Sequence, residues 1–160
     1  MEQKQFSVSY EPSAYNVKTA IYAVNPNASY ARVEGIQVAN NDSSDFTVDL
    51  FWVDESGKTV TNTIYTGSGK IRQEYYDYSG SALNLIIKDG VVPIGSALNV
   101  LSMNLYLDTK DFIFIRPSSS GSDNAFKPTI SVTEYFEDGT FISTSVDLSN
   151  VNEQLTEGIY

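Results

Sequence analysis

The sequence predicts an all-β protein: an antiparallel β-sandwich, immunoglobulin-like or jelly-roll, with extended termini. Three observations predict it. Nearly every apolar segment is short, rich in β-branched or aromatic residues, and bounded by Gly, Asn, Asp, Ser or Pro. The clearest segments alternate apolar with polar residues, as a strand must when one of its faces meets a core. No window of a dozen residues carries a 3.6-residue apolar period, although VNEQLTEGIY at the C-terminus has room for one helical turn.

The segments divide the chain into an N-terminal arm over 1–18, a sandwich domain over 19–146 and a C-terminal arm over 147–160. TAIYAV, Thr19 to Val24, is a strand ended by Asn25-Pro26. RVEGIQVA, Arg32 to Ala39, turns Val33, Ile36 and Val38 to one side, with Gly35 as a candidate bulge. FTVDLFWV, Phe46 to Val53, places Phe46, Val48, Leu50 and Trp52 on one face, with Trp52 as a core anchor. Thr47, Asp49, Phe51 and Val53 take the other face. Asp54-Glu55-Ser56-Gly57-Lys58 reads as a hairpin turn into Thr59 to Tyr65. Further strands are expected at Leu83 to Lys88, Ala97 to Leu101, Leu105 to Leu107, Phe112 to Arg116 and Thr129 to Phe136. Glu137-Asp138-Gly139 then turns the chain into Thr140 to Val146. Two regions break the spacing: the tyrosine-rich Gly67 to Gly80 and the low-complexity Ser118 to Asn124.

A chain of 160 residues fits one domain, which buries roughly 70% of the surface that its unfolded form exposes. Ten basic against twenty acidic residues give a net charge of −10. Phosphate backbones and anionic lipid repel such a chain, so neither nucleic acid nor membrane is expected as a partner. There is no Cys and no His, which removes disulfides, thiolate nucleophiles, Cys/His zinc sites and histidine bases together. MEQKQFSVSYEPS has no secretory pattern, and no apolar run approaches the roughly 20 residues that span a bilayer. A soluble protein made in a cytoplasm, with no cofactor, is the expectation.

In LYLDTKDFIFI, Asp108 and Asp111 stand three residues apart between apolar runs. They are an acid/base pair, half of a metal site, or a turn. A glycosidase-type pair faces its substrate from separate places and raises one pKa by environment. Asp and Thr readily cap turns, and the turn of a hairpin between Leu105–Leu107 and Phe112–Arg116 is the favoured reading. Asn40-Asn41-Asp42-Ser43-Ser44-Asp45 is oxygen-rich but lacks the EF-hand glycine and terminal Glu, so a solvated loop is favoured over calcium. The serines of 118–122 have no G-x-S-x-G elbow and no histidine. Gly67-Ser68-Gly69-Lys70 lacks the strand-to-helix setting of a phosphate loop. No catalytic, metal or cofactor residue is assigned. Arg72, Tyr75, Tyr76 and Tyr78 have the composition of a partner-contact surface. The same tyrosines also suit stacking on sugar rings or packing back on the sandwich.

From Leu83 onward the features come in a recognisable order: LNLIIKDG, the linker VVPIGSAL, a strand, LYL, the acidic turn of DTKDFIFIRPSSS, and a closing strand with S-x-x-E-Y at Ser131 to Tyr135. Together with RVEGIQVANNDSSDFTVDLFWVD, they resemble small all-β virion structural proteins of tailed bacteriophages, of the cyanophage and marine-phage type. The resemblance covers about residues 30–137. Lys110 stands where that pattern has a glycine-like residue, and the insert at 67–80 is extra. The resemblance implies a non-enzymatic virion protein, bound in many copies to the capsid as decoration or cement, or to the head–tail neck. Its partners would be capsid, neck or tail proteins and further copies of itself. The alternative is a carbohydrate-binding module on a tail or fibre.

Overall fold

A computed structural model describes residues 1–9, 18–57, 59–66, 71–77, 82–117 and 126–140, with backbone only in 59–66, 71–77 and at Phe126. The expectations for residues 10–17 of the N-terminal arm, Lys58, Gly67 to Lys70, Tyr78 to Gly80, Ser118 to Asn124, the strand beyond Thr140 and the C-terminal arm fall outside the described residues.

Eleven strands are described: β1 (Glu2–Ser9), β2 (Thr19–Ala23), β3 (Tyr30–Asn40), β4 (Phe46–Val53), β5 (Thr59–Thr66), β6 (Ile71–Asp77), β7 (Leu83–Val92), β8 (Ala97–Asn99), β9 (Leu105–Asp108), β10 (Phe112–Pro117) and β11 (Phe126–Phe136). Sheet A has the order β1-β11-β3, with β8 and β9 pairing successive stretches of the far side of β3; sheet B has the order β2-β10-β4-β7. β5 and β6 form a separate two-stranded ribbon. All the pairings are antiparallel. The antiparallel β-sandwich read from the sequence is the architecture of the protein.

Alternation builds the core between the sheets. Sheet A contributes Val33, Ile36, Val38, Leu107, Ile130, Val132 and Phe136; sheet B contributes Ile21, Phe46, Val48, Leu50, Ile113 and Ile115. Burying each of these larger side chains contributes about 1.5–3 kcal/mol. The inward row on β4 is the expected one except at its end. Trp52 is half-buried and packs against the rim of the core, while Leu50 is the anchor. FIFI in β10 is apolar on both faces: Ile113 and Ile115 enter the core, and Phe112 and Phe114 join Ala20, Ala23 and Val53 in a second buried cluster with Phe51. The Phe51 and Phe114 rings stack with centroids 5.0 Å apart.

Bulges keep the rows aligned. Ser131 faces Gly35 and Val132 faces Val33, so Glu34 is the extra residue on β3, and Val33 and Ile36 both point inward as the sequence requires. On β7, Val48 faces Gly90, Leu50 faces Ile87 and Phe51 faces Leu85, which makes two irregularities. Asp89 sits in the first of them with φ 52°. Its N–H is captured by Asp49 Oδ1 at 2.8 Å, and Arg116 Nη2 donates to Asp49 Oδ2 at 2.8 Å. Burial alone would raise the Asp49 carboxyl; the Asp89 amide and the Arg116 guanidinium outweigh it and hold it below the usual carboxylate range.

Beyond Trp52, three expectations are corrected. Residues 2–9, placed in a polar arm, form an eight-residue strand paired along its length with β11, from Glu2 opposite Phe136 to Ser9 opposite Thr129. Lys4, Phe6 and Val8 are half-buried and the residues between them exposed, so β1 alternates like any half-covered strand. The segment from Asp54 to Gly57 is not the turn of a β4–β5 hairpin: Glu55–Gly57 is a 3-10 turn, and β5 pairs with β6 rather than with β4. Asp108 to Asp111 is a turn, but β9 belongs to sheet A and β10 to sheet B, so it carries the chain between sheets.

Removing Asp49 leaves the Asp89 amide without its acceptor, whereas removing the half-exposed Arg116 leaves that amide bond in place. Asp49→Ala should cost about 1–3 kcal/mol and Arg116→Ala less than about 1 kcal/mol in urea unfolding. Equal costs would show that the ion pair, not the amide capture, is what matters.

Candidate functional site: the outer face of sheet A

The paired carboxylates resolve into architecture. Asp111 is 3% exposed. Its Oδ1 accepts the Glu55 N–H at 3.0 Å and its Oδ2 the Asp108 N–H at 2.9 Å. Its own N–H donates to Asp108 O at 3.1 Å, and its carbonyl accepts the Val24 N–H at 2.8 Å. Thr109 Oγ1 donates to the Ala28 carbonyl. Burial pushes the Asp111 carboxyl up to about 6; the two amides pull it down, and the Asp54 and Asp108 carboxylates add to the rise. Lys110 has φ 68°, the left-handed conformation that a type II turn asks of its third residue.

The Asn40 to Asp45 loop spends its oxygens in the same way. Asn40 Oδ1 accepts the Asp42 N–H, Asp42 Oδ1 accepts the Ser43 N–H, and Asp45 Oδ1 accepts the Ile94 N–H. Asn40 Nδ2 donates to the Ser44 and Val92 carbonyls and ties the loop to the end of β7. Among the described residues, no group of three or more Asp or Glu side chains is placed to hold a metal ion.

Of the tyrosine-rich segment, the structure places Arg72, Tyr75 and Tyr76 on β6, opposite Tyr65, Asn62 and Val60 of β5. Their side chains, and Tyr78 altogether, lie outside the described residues.

A second arginine–tyrosine group, which the sequence reading did not single out, lies on the outer face of sheet A. Tyr30 of β3 and Tyr135 of β11 face each other across the ladder with rings stacked at 4.5 Å. Arg32 lies 5.8 Å from the Tyr135 ring centre, opposite Thr133 on one side and Tyr106 of β9 on the other. Glu34 Oε1 accepts Arg32 Nη2 at 2.7 Å, Arg32 Nε at 3.1 Å and Thr133 Oγ1 at 2.9 Å. The Arg32 bonds, followed by the Thr133 bond, hold the Glu34 carboxyl below its ordinary value. Tyr106 is 61% exposed and supplies open aromatic surface. The signal was present in the sequence, since Tyr30, Arg32 and Glu34 occupy the alternate positions that Ala31 and Val33 leave to the outer face.

Beside this group the bulge opens a groove of about 460 Å³, lined by Glu34, Gly35, Gln37, Asn99, Thr129 and Ser131, with the half-buried Leu101 as its apolar side chain. Ser7 of β1 reaches Ser131 Oγ at 3.2 Å and continues the hydroxyl row towards β1.

Two predictions concern the acidic turn. Lys110→Gly removes left-handed strain and should raise stability by about 0.5–1 kcal/mol, after allowing for the freedom glycine gains when unfolded; an unchanged or lower melting temperature would refute the strain. Asp111→Asn should cost about 1–3 kcal/mol, because one amide loses its acceptor. Between the ordinary 3.8 and about 6 the native state holds a proton on Asp111 that the unfolded chain has released. That contribution is present at low pH and is lost as pH rises through about 6. The gap between wild type and Asp111→Asn should therefore widen from pH 7 to pH 4.5; a gap that narrows would show that the carboxylate is the stabilising form.

No protein-family model matches the chain, and no curated protein sequence matches it. Among solved structures it is similar to a chain of the Bacillus endospore appendages, described as a family of disulfide-linked pili: 15% identity, TM-score 0.39, covering 84% of this chain and 89% of that one. It is also similar to a chain of infectious bursal disease virus, Gx strain, at 12% identity and TM-score 0.43, covering 86% of this chain and 32% of that one. Neither overlap bears on what the protein does.

Proposed function

We propose that the protein is a non-enzymatic structural component of a tailed-phage virion, bound in many copies to the capsid as decoration or cement, or to the head–tail neck, through protein–protein contacts. The observation that carries this reading is the preorganised outer face of sheet A. Arg32 is held by two bonds to Glu34 and lies over Tyr135, and Tyr30 is stacked on the same ring. Arginine and tyrosine are enriched among the few residues that dominate binding energy at protein interfaces, and side chains already fixed lose little entropy on docking. The described buried carboxylates support the reading too, since Asp49, Asp111 and Glu134 spend oxygens on backbone amides of the fold.

On this reading the tyrosines and Arg72 of the β5–β6 ribbon add a second contact, and sheet edges pair with further copies. The protein is made in the host cytoplasm and resides in the virion, and its net charge of −10 keeps it soluble until it docks.

The test is cosedimentation of the purified protein with heads, necks and tails of the encoding phage that lack it. Saturable binding in many copies is expected. Arg32→Ala with Tyr106→Ala should weaken it by roughly tenfold or more without changing the far-ultraviolet circular dichroism. A protein that binds none of these particles and stays monomeric at high concentration would overturn the reading.

A further inference from the structure

We propose that the groove over Gly35 on the outer face of sheet A is a binding site for a neutral oligosaccharide, which goes beyond the particle role. The first observation is the glycine. Gly35 lies inside a strand, where glycine is destabilising and marks a bulge or a close approach by a ligand or another backbone. Neither conformation nor packing demands it here: its φ lies outside the left-handed region, and a Cβ built on it would meet nothing within 4 Å. What the missing side chain does is leave the floor of the groove open.

The second observation is the chemistry of the walls. Gln37, Asn99, Thr129 and Ser131 offer uncharged amide and hydroxyl groups, each able to donate and to accept. The one carboxylate, Glu34, already accepts from Arg32 and Thr133, and the Arg32 charge is committed to Glu34. A charged ligand would find no free counter-charge there. A polyhydroxylated neutral ligand matches amides and hydroxyls on one side and Leu101 on the other, where the C–H face of a sugar ring packs. An extended peptide matches less well: strands add to sheet edges, where backbone groups are unpaired. Here β3 is paired with β11 on one side, and on the other with β9 over Tyr30–Val33, with β8 over Gln37–Ala39 and through the Val100 N–H to the Ile36 carbonyl, which leaves only Glu34 and Gly35, too short a stretch for a strand to join.

The test uses the full chain on an array of neutral and acidic glycans, followed by calorimetric titration with cellohexaose, maltohexaose and mannohexaose. Saturable binding of at least one neutral glycan is expected. Gly35→Leu plugs the floor from a position with free space and ordinary φ, and should weaken binding by roughly tenfold or more at an unchanged melting temperature. Gln37→Ala and Asn99→Ala provide the same reading if the leucine variant folds poorly. Failure of every neutral glycan to bind, binding confined to acidic glycans or peptides, or binding untouched by all three substitutions would overturn the proposal. Particle cosedimentation of Gly35→Leu is scored separately, so loss of sugar binding with particle binding retained distinguishes this site from the docking role.

Discussion

The corner at Asp111 is the point on which the sandwich depends. Its carboxylate takes the amides of Glu55 and Asp108, its carbonyl takes the amide of Val24, and its own amide closes the turn on Asp108. One residue thus joins the end of β2, the turn after β4 and the passage from β9 to β10. The wider constraint is that a chain crossing between sheets exposes backbone groups at every corner, and buried ones must find partners. Acidic and amide side chains supply them repeatedly. Glu134, 2% exposed, reaches from sheet A to accept the Tyr22 hydroxyl at 2.8 Å and the Asn25 amide at 3.3 Å. The buried phenol, pushed far above its ordinary value by burial and by Glu134, stays a donor throughout the working pH range. Part of the acidic excess that composition suggests for the surface is therefore structural.

The two outer faces divide the labour. Sheet B carries apolar residues outward as well as inward, and Phe112, Phe114, Ala20 and Val53 form a second buried cluster there. Sheet A turns Ser, Thr, Gln, Tyr and Arg outward, and it holds the stacked tyrosines, the Arg32–Glu34 pair and the groove. A face whose charges are already paired gains specificity from shape and hydrogen bonds rather than from bulk charge. That suits a chain whose net charge is large and negative.

How much of this was legible follows from range. Alternation gave the inward row Phe46, Val48, Leu50 and the bulge at Gly35, because both are local and period-two. The acidic turn was readable as a turn because Asp and Thr cap within a few residues, yet whether β9 and β10 pair is not a local property. β1 was missed because its residues are mostly polar and its partner, β11, lies far along the chain. Trp52 has the right parity but stands at the end of its row, where the opposing sheet covers only part of it. The Tyr30–Arg32–Tyr106–Tyr135 group joins three strands distant in sequence, so each residue reads alone as an ordinary surface position.

The place of β11 in sheet A has a consequence for how the chain is made. It lies between β1 and β3 and pairs with both, yet it follows the ten other described strands in the sequence. While the ribosome is still at work, β1 has no neighbour and one side of β3 is uncovered. Sheet A closes only when residues 126–136 have emerged. Folding is therefore a late, concerted event dominated by long loop closures, and until then the nascent chain carries unpaired β-strands. The polar sequence of β1, with its exposed Glu2, Gln3, Gln5, Ser7 and Ser9, works against their pairing with neighbouring nascent chains.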